Sequence, residues 1–310
     1  MNDKTTKLLG SSAEFLRAIH TARMVAGTDA SVLVLGERGA GKEMLAREIH
    51  ASSRRREKPF LVVNCAGITE EQLEAELSVC AAEELDLPEA GRADEGGTLF
   101  LDEVGELSLE AQARLLNFLE SREMGHPGCI NARVIASSSV DLQALADSGR
   151  MRTDLFYRLY VVPVEVPALR ERGGDIVLLL KQFSAELAHL HGRKAPRYSV
   201  TSRNLLKTYH WPGNVRELRN FCERMVILMA GKIVQPENLP IEIRRGSEQM
   251  PDLDRCFVLP AEGLDLVALE QDMIRQALGL TGGNRSKAAR LLRITRDTLL
   301  YRIQKHAIDT

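Results

Sequence analysis

The sequence predicts an α/β protein: a parallel sheet sandwiched by helices, then a small helical domain, then a C-terminal all-α module. Three observations carry this. Residues 31 to 169 alternate between short, β-branched apolar runs and longer amphipathic stretches, the pattern of repeated strand–helix units. The strand runs are apolar almost throughout, as strands covered on both faces are. Beyond residue 169 no further strand is evident, and the chain reads as helices to its end except for one irregular stretch.

The strand runs are "SVLVLG", "PFLVVNC", "GTLFLDE", "ARVIASSS" and "YVVPVEVPAL". Between them lie "KEMLAREIHASS" and "SLEAQARLLNFLES", whose apolar residues recur at helical spacing. In residues 170 to 242, "DIVLLLKQFSAELAHLHG" and "NVRELRNFCERMVILMAG" read as amphipathic helices ending at glycine, forming a helical lid. Residues 243 to 262 are punctuated by Pro251 and Pro260 and read as a linker. From 263 to 310 the chain is helical again, broken at "TGGN" and near "RIT". The expected domains are therefore 1–169, 170–242 and 263–310.

Bulk composition excludes some classes. Of 310 residues, 44% are hydrophobic and 27% charged, ordinary for a soluble globular protein. The formal net charge is -2, so any nucleic-acid contact must rest on local charge. The apolar runs are too short to span a bilayer, and "MNDKTTKLLGSS" has no apolar core for a secretory signal; no membrane partner and a cytoplasmic location are expected. Five scattered cysteines without a C-x-x-C spacing read as reduced thiols. His189 and His191 read as surface residues near a helix end rather than metal ligands.

"LGERGAGKEML" resembles a phosphate-holding loop. Gly36, Gly41 and Lys42 satisfy G-x-x-x-x-G-K, but Glu43 stands where a magnesium-binding hydroxyl is usual. A strand before the loop and a helix after it is the required setting, because backbone N–H groups then converge on the phosphates and lysine adds a point charge. Gly36, Glu37, Arg38, Gly39, Ala40, Gly41, Lys42 and Glu43 are the candidate nucleotide-binding residues. "GGTLFLDE" adds an apolar strand ending in two acids: Asp102 to hold Mg2+, directly or through water, and Glu103 to polarise the attacking water.

These motifs together resemble the bacterial enhancer-binding proteins, AAA+ activators that act on RNA polymerase carrying sigma-54. "GERGAGKE", "PFLVVNCAGI", "GGTLFLDEVGELSLEAQARLLNFLE", "DLFYRLYVVPVEVPALRERGGDI" and "HWPGNVRELRN" match family stretches in the expected order. In that family glutamate after the lysine is normal. The resemblance implies ATP and Mg2+ as cofactors and further roles by position. Asn64 would hold Glu103 in a γ-phosphate-sensing switch. Arg152 and Arg158, on different faces of one helical segment, would be arginine fingers inserted into a neighbouring subunit's site. Ser139 would take the sensor I position, usually asparagine, and Arg216 the sensor II position; Trp211 and Pro212 would be structural. Catalysis shared between subunits implies a homo-oligomer, from dimer to hexamer.

The chain also departs from the family. The loop that carries G-A-F-T-G-A and presses on sigma-54 corresponds here to "ELSVCAAEELDLPEAGRADEGG", which is shorter and lacks that motif. The second insertion, "EMGHPGCINARV", is reduced too. The resemblance therefore implies an atypical member that regulates promoters without standard sigma-54 remodelling. The alternatives are an ATP-hydrolysing sigma-54 activator with a divergent loop, a module in which ATP only sets assembly, and a protein-remodelling ATPase outside transcription. Only about thirty residues precede the first strand, so either regulation is expected from a trans-acting partner, a ligand or expression level, or the sequence is a piece of a longer chain.

The C-terminal stretch "TGGNRSKAARLLRITRDTLLYRIQKH" resembles the family's Fis-type helix-turn-helix. Ala288, Ala289, Leu292, Ile294, Leu299 and Ile303 are spaced for close packing of two short helices, and from Thr281 to the last residue seven Lys or Arg stand against two acids, Asp297 and Asp309. Double-stranded DNA is the expected partner of Arg285, Lys287, Thr295, Arg296, Thr298, Tyr301, Arg302 and Lys305. Arg293 occupies the place of the usual turn glycine. The preceding helix, "DLVALEQDMIRQALGL", reads as a dimer surface.

Overall fold

The computed structural model describes residues 8–85, 97–123, 132–244 and 265–306. The chain divides into two compact units, Met1–Glu248 and Gln249–Thr310. Among the described residues no helix is long and apolar enough to cross a membrane.

The first unit opens on α1 (Ala13–Ala26), which buries Phe15, Ala18, Ile19, Ala22 and Val25 along one stripe. The sequence reading assigned no element before the first strand; the stripe is short and rich in alanine, so its periodicity is weak. The expected strands follow as β1 (Val32–Leu35), β2 (Phe60–Asn64), β3 (Thr98–Asp102), β4 (Arg133–Ser138) and β5 (Val162–Glu165). They pair in parallel in the order β2-β3-β4-β1-β5. Helices α2 (Lys42–Ala51), α3 (Glu70–Leu85), α4 (Leu109–Glu123), α5 (Leu142–Asp147) and α6 (Thr153–Leu159) make the connections.

Side-chain alternation divides the core between two faces. Leu33, Leu99, Leu101, Val134 and Ala136 pack with Leu73 of α3 and Leu115 and Leu119 of α4. Val32, Val34, Phe100, Ile135 and Val164 pack on the opposite face with α1 and with Leu45 and Ile49 of α2. This two-sided burial is why the strands read as continuous apolar runs. The reduced insertions, with residues 86–96 and 124–131, lie outside the described residues.

The lid is built from α7 (Asp175–Leu190), α8 (Val200–Thr208), α9 (Asn214–Leu228) and the single turn α10 (Ile241–Arg244). Its core joins Ile176, Leu180 and Phe183 of α7 to Leu218, Phe221 and Met225 of α9, around the fully buried Trp211. The absence of strands expected here is corrected. β6 (Arg197–Tyr198) and β7 (Ile233–Val234) form a parallel pair, with Arg197 opposite Ile233. Two residues are too few to show a period of two in sequence.

The second unit contains α11 (Leu266–Leu280), α12 (Arg285–Leu291) and α13 (Arg296–Lys305). Ile274, Ala277 and Leu278 of α11 meet Ala288, Ala289 and Leu299, with Leu292, Ile294 and Ile303 at the edge, the packing that the sequence predicts. Between α12 and α13 the turn is made by Arg293 in the left-handed region, at φ 54°. Its N–H donates to the Arg290 carbonyl and the next N–H to that of Ala289, closing α12 as glycine ordinarily would. A side chain there is strained by roughly 1–2 kcal/mol. Arg293→Gly is expected to stabilise this unit by about 0.5–1 kcal/mol, because greater unfolded-state freedom offsets part of the relief. Thermal melting checks it, and a lowered midpoint would contradict the assignment.

Candidate functional site

The carboxyl ends of β1, β3 and β4 open onto one crevice, where α/β sheets of this kind place ligands. Chain order is broken there, since β4 lies between β3 and β1. Gly36 leaves β1 with so little room that a Cβ would lie 2.6 Å from the Val166 carbonyl oxygen. The loop then turns into α2, whose cap residue Gly41 adopts φ 106°. The first N–H groups of α2 have no helical partner and suit an anion. A cleft of about 440 Å³ lies there, lined by Arg38, Gly39, Gly41, Lys42, Glu43 and Met44, by Asn64, Asp102 and Glu103, and by Arg216 and Arg219 of the lid.

Lys42 and Glu103 form an inner pair at 2.9 Å, their side chains 5% and 12% exposed. Lys42 Nζ also donates to the Gly36 carbonyl at 2.8 Å and the Glu37 carbonyl at 3.3 Å. Glu103 Oε2 accepts from the Ser139 N–H at 2.9 Å and from Ser139 Oγ at 2.7 Å. Burial works to raise the Glu103 carboxyl, but Lys42 and Ser139 outweigh it and hold it below its ordinary value. It is ionised and fully engaged. Glu103 itself sits at φ 59°, a strained conformation of the kind that collects at functional sites. Asp102 accepts from Ser137 Oγ, which also receives the Glu103 N–H.

Several loop side chains point elsewhere than expected. Arg38 pairs with Glu106 at 2.6 Å, and Glu43 with Arg47 one turn along α2. Glu37 turns to the lid, where Arg170 donates to both its oxygens and Asn214 Nδ2 donates to Oε2 at 2.9 Å. The hydrogen bonds from Arg170, then Asn214, lower the Glu37 carboxyl to about 2. A depressed carboxylate stabilises the fold fully above its ordinary value of 4.5, and that contribution is lost as pH falls from there through about 2. Below pH 4.5 the fluorescence of Trp211, the sole tryptophan, is expected to change less steeply in Glu37→Gln than in the natural chain. Coincident curves would contradict this.

In the second unit each helix starts on a side-chain cap: Asp265 for α11, Asn284 for α12 and Thr295 for α13. Arg285, Lys287, Arg296 and Lys305 are exposed, and Tyr301 is 66% exposed. Arg302 pairs with Glu270 of α11 at 2.6 Å, and His306 Nε2 meets the same carboxylate at 2.9 Å.

Comparison with known proteins accounts for this arrangement. Residues 8–165 match the sigma-54 interaction domain, 170–255 the AAA+ ATPase lid domain, and 266–306 the bacterial regulatory protein, Fis family. Transcriptional regulatory protein ZraR of Escherichia coli K12 is 40% identical over 308 residues, spanning 96% of this chain and 68% of that protein. The chain belongs to the sigma-54-dependent transcriptional regulators. Regulatory protein AtoC of Escherichia coli K12 is 37% identical over 314 residues, covering 97% and 68%. The crystal structure of NtrX from Brucella abortus in complex with ATP aligns with a TM-score of 0.69 and 32% identity, over 99% of this chain and 71% of that one. This member of the family is a DNA-binding regulator with an AAA+ ATPase domain, a lid and a Fis-type module.

Individual side chains in this family member have partners of their own. Asn64 does not hold Glu103: its Oδ1 accepts the Ala66 N–H at 3.0 Å, closing its own turn, and Ser139 does the holding. Serine can do so because Glu103, in its left-handed conformation, reaches back toward the end of β4. Arg152 precedes α6 as its extended cap residue rather than lying within the helix, and it pairs with Asp154 at 2.7 Å. Arg158 is in the helix and meets Glu120 at 3.3 Å. Neither arginine lines the cleft of its own chain. Thr295 and Thr298 bond each other and cap α13, so their hydroxyls are engaged, and Arg302 braces α13 against α11. Arg219, one turn beyond Arg216, joins the cleft without having been predicted; its spacing of three along α9 was the available signal.

Proposed function

We propose that this regulator binds ATP with Mg2+ in the cleft between the phosphate loop and lid, hydrolyses it between subunits, and uses that cycle to set its action on promoter DNA. The observation that carries the reading is the convergence of Lys42 of α2, Asp102 and Glu103 at the end of β3, and Arg216 of α9 on one cleft at a helix N-terminus. Asp102 would hold magnesium together with phosphate oxygens and water, which fits a cation that is ordinarily bound by one or two carboxylates plus substrate phosphates. Bound there, the ion would neutralise charge on the phosphates.

Lys42 donates to Glu103 Oε1 and Ser139 to Oε2. Triphosphate competes for Lys42 and frees Oε1. Water then forms a P–O bond to the γ-phosphorus as the β–γ bridging bond breaks; Glu103 takes the water's proton and ADP leaves with the bond pair. Arg152 and Arg158 supply positive charge from the neighbouring subunit. The fingers are tested by mixing. Arg158→Ala and Glu103→Gln are each expected to lose hydrolysis by at least about a hundredfold. Their mixture is expected to recover part of it, because some interfaces then pair an intact finger with an intact base. A mixture as inactive as its components would refute a finger supplied from a neighbour.

The domain limits proposed are 1–169, a lid over 170–244 that keeps α10 whole, a linker over 245–262, and 263–310. Arg296, Tyr301 and Lys305, with Arg285 and Lys287, would make the DNA contacts, the last three mainly to phosphates. The shortened loop favours regulation without the standard press on sigma-54. ATP-driven open-complex formation on a sigma-54 promoter in vitro would overturn that point while leaving the nucleotide site intact.

A further inference from the structure

Four consecutive residues of the phosphate loop are gripped by the lid. Arg170 clasps both oxygens of Glu37, at 2.9 and 2.5 Å. Asn214 Nδ2 bridges Glu37 Oε2 and the Arg38 carbonyl, at 2.9 and 3.1 Å. The Val215 N–H donates to the Gly39 carbonyl at 3.0 Å, and Arg172 Nη2 to that of Ala40 at 3.0 Å. Gly39 allows the approach; a Cβ there would lie 2.4 Å from the Gly213 carbonyl oxygen.

Asn214 is the keystone of this contact. It is fully buried, its Oδ1 accepts the Leu169 N–H at 2.8 Å, and its backbone is held at φ 52°. A left-handed residue at the start of a helix persists only where its surroundings over-determine it. Arg216 follows two residues later on the same helix, so whatever fixes Asn214 fixes where that guanidinium begins.

We propose that Glu37, Arg170 and Asn214 form a latch joining the lid to the phosphate loop, and that they are positioning residues acting through Arg216. This rests on the nucleotide reading above and deepens it. A lid joined in this way spares a nucleotide the ordering of loop against lid, and it carries any shift of the loop directly into α9.

Two measurements on the full chain test the latch. In nucleotide-free protein, Glu37→Ala is expected to speed amide exchange at Val215 and Arg216 by at least about tenfold while the core of α9 stays protected. Unchanged exchange at both amides would overturn the proposal. For turnover, Glu37→Ala is expected to lower kcat about tenfold, but by less than about twofold when Arg216→Ala is already present. Equal, multiplying losses in the two backgrounds would overturn action through Arg216. Glu37→Gln, which can still accept from Asn214, should recover most of the rate, and Arg170→Met repeats the test on a partly exposed partner should Glu37→Ala fold poorly. Unchanged ATP affinity in Lys42→Ala would overturn the nucleotide reading and the latch with it. Failure of the exchange or double-variant result alone would overturn only the latch.

Discussion

Replacing Lys42 with Ala is expected to abolish ATP binding, raising Kd by at least about a hundredfold, or about 3 kcal/mol. The ammonium stands at the start of α2 with its three donors directed to the Gly36 and Glu37 carbonyls and to Glu103. Charge-assisted bonds to phosphate contribute roughly 1.5–3 kcal/mol each, so losing two is enough for the predicted effect. The variant has a second consequence. Glu103 would keep Ser139 but lose its only described cationic partner within a pocket where it is nearly buried. Removing one member of such a pair leaves the other charge poorly solvated. The nucleotide-free variant should therefore melt earlier than the natural chain, whereas Lys42→Ala with Glu103→Gln should recover part of that loss. Calorimetric titration with ATP decides the main point, and an unaltered Kd would refute the phosphate-loop assignment.

Trp211→Ala is expected to destabilise the first unit by about 3–5 kcal/mol. The indole is fully buried in the lid core, edge-on to Tyr209 at 5.1 Å and Phe221 at 5.9 Å, and its Nε1 donates to the Leu206 carbonyl at 2.9 Å. Alanine would remove that volume from between α8 and α9 and leave a buried acceptor without its donor. Trp211→Phe keeps most of the volume and should lose only about 1–3 kcal/mol, chiefly the hydrogen bond and a partial cavity. Urea unfolding measures both. A loss under about 1 kcal/mol for the alanine variant would mean the lid collapses around the site without difficulty. Because Trp211 lies three residues before Asn214, the variant should also weaken the hold of α9 on the phosphate loop.

Much of the site was legible from residue order alone. Lys42 after a glycine turn, and Asp102 and Glu103 at the end of an apolar run, each announce a strand end in a parallel sheet, and strand ends converge at one edge whatever the strand order. Among the described residues Cys65 and Cys222 are buried and free, with burial first among the causes that push both thiols up to about 12. What escaped the reading was partner choice. Asn64 and Asp102 are in register on adjacent strands, which makes Asn64 a plausible companion of Glu103. Yet the left-handed turn at Glu103 swings its carboxylate toward Ser139 instead. Likewise Arg302 belongs to the basic stretch that the sequence suggests for DNA contact, but it pairs with Glu270 of α11, more than thirty residues earlier.

Local chemistry and periodicity, both properties of neighbouring residues, determined the strands, the phosphate loop, the acidic pair and the C-terminal helices. Tertiary structure alone decided which side chains meet: Glu37 with Arg170 and Asn214, Lys42 with Glu103, and Glu103 with Ser139. The reason is one of range. Backbone preference and apolar spacing act over a few residues, whereas a hydrogen bond between residues 37 and 214 depends on strand order and on how a distant helix packs.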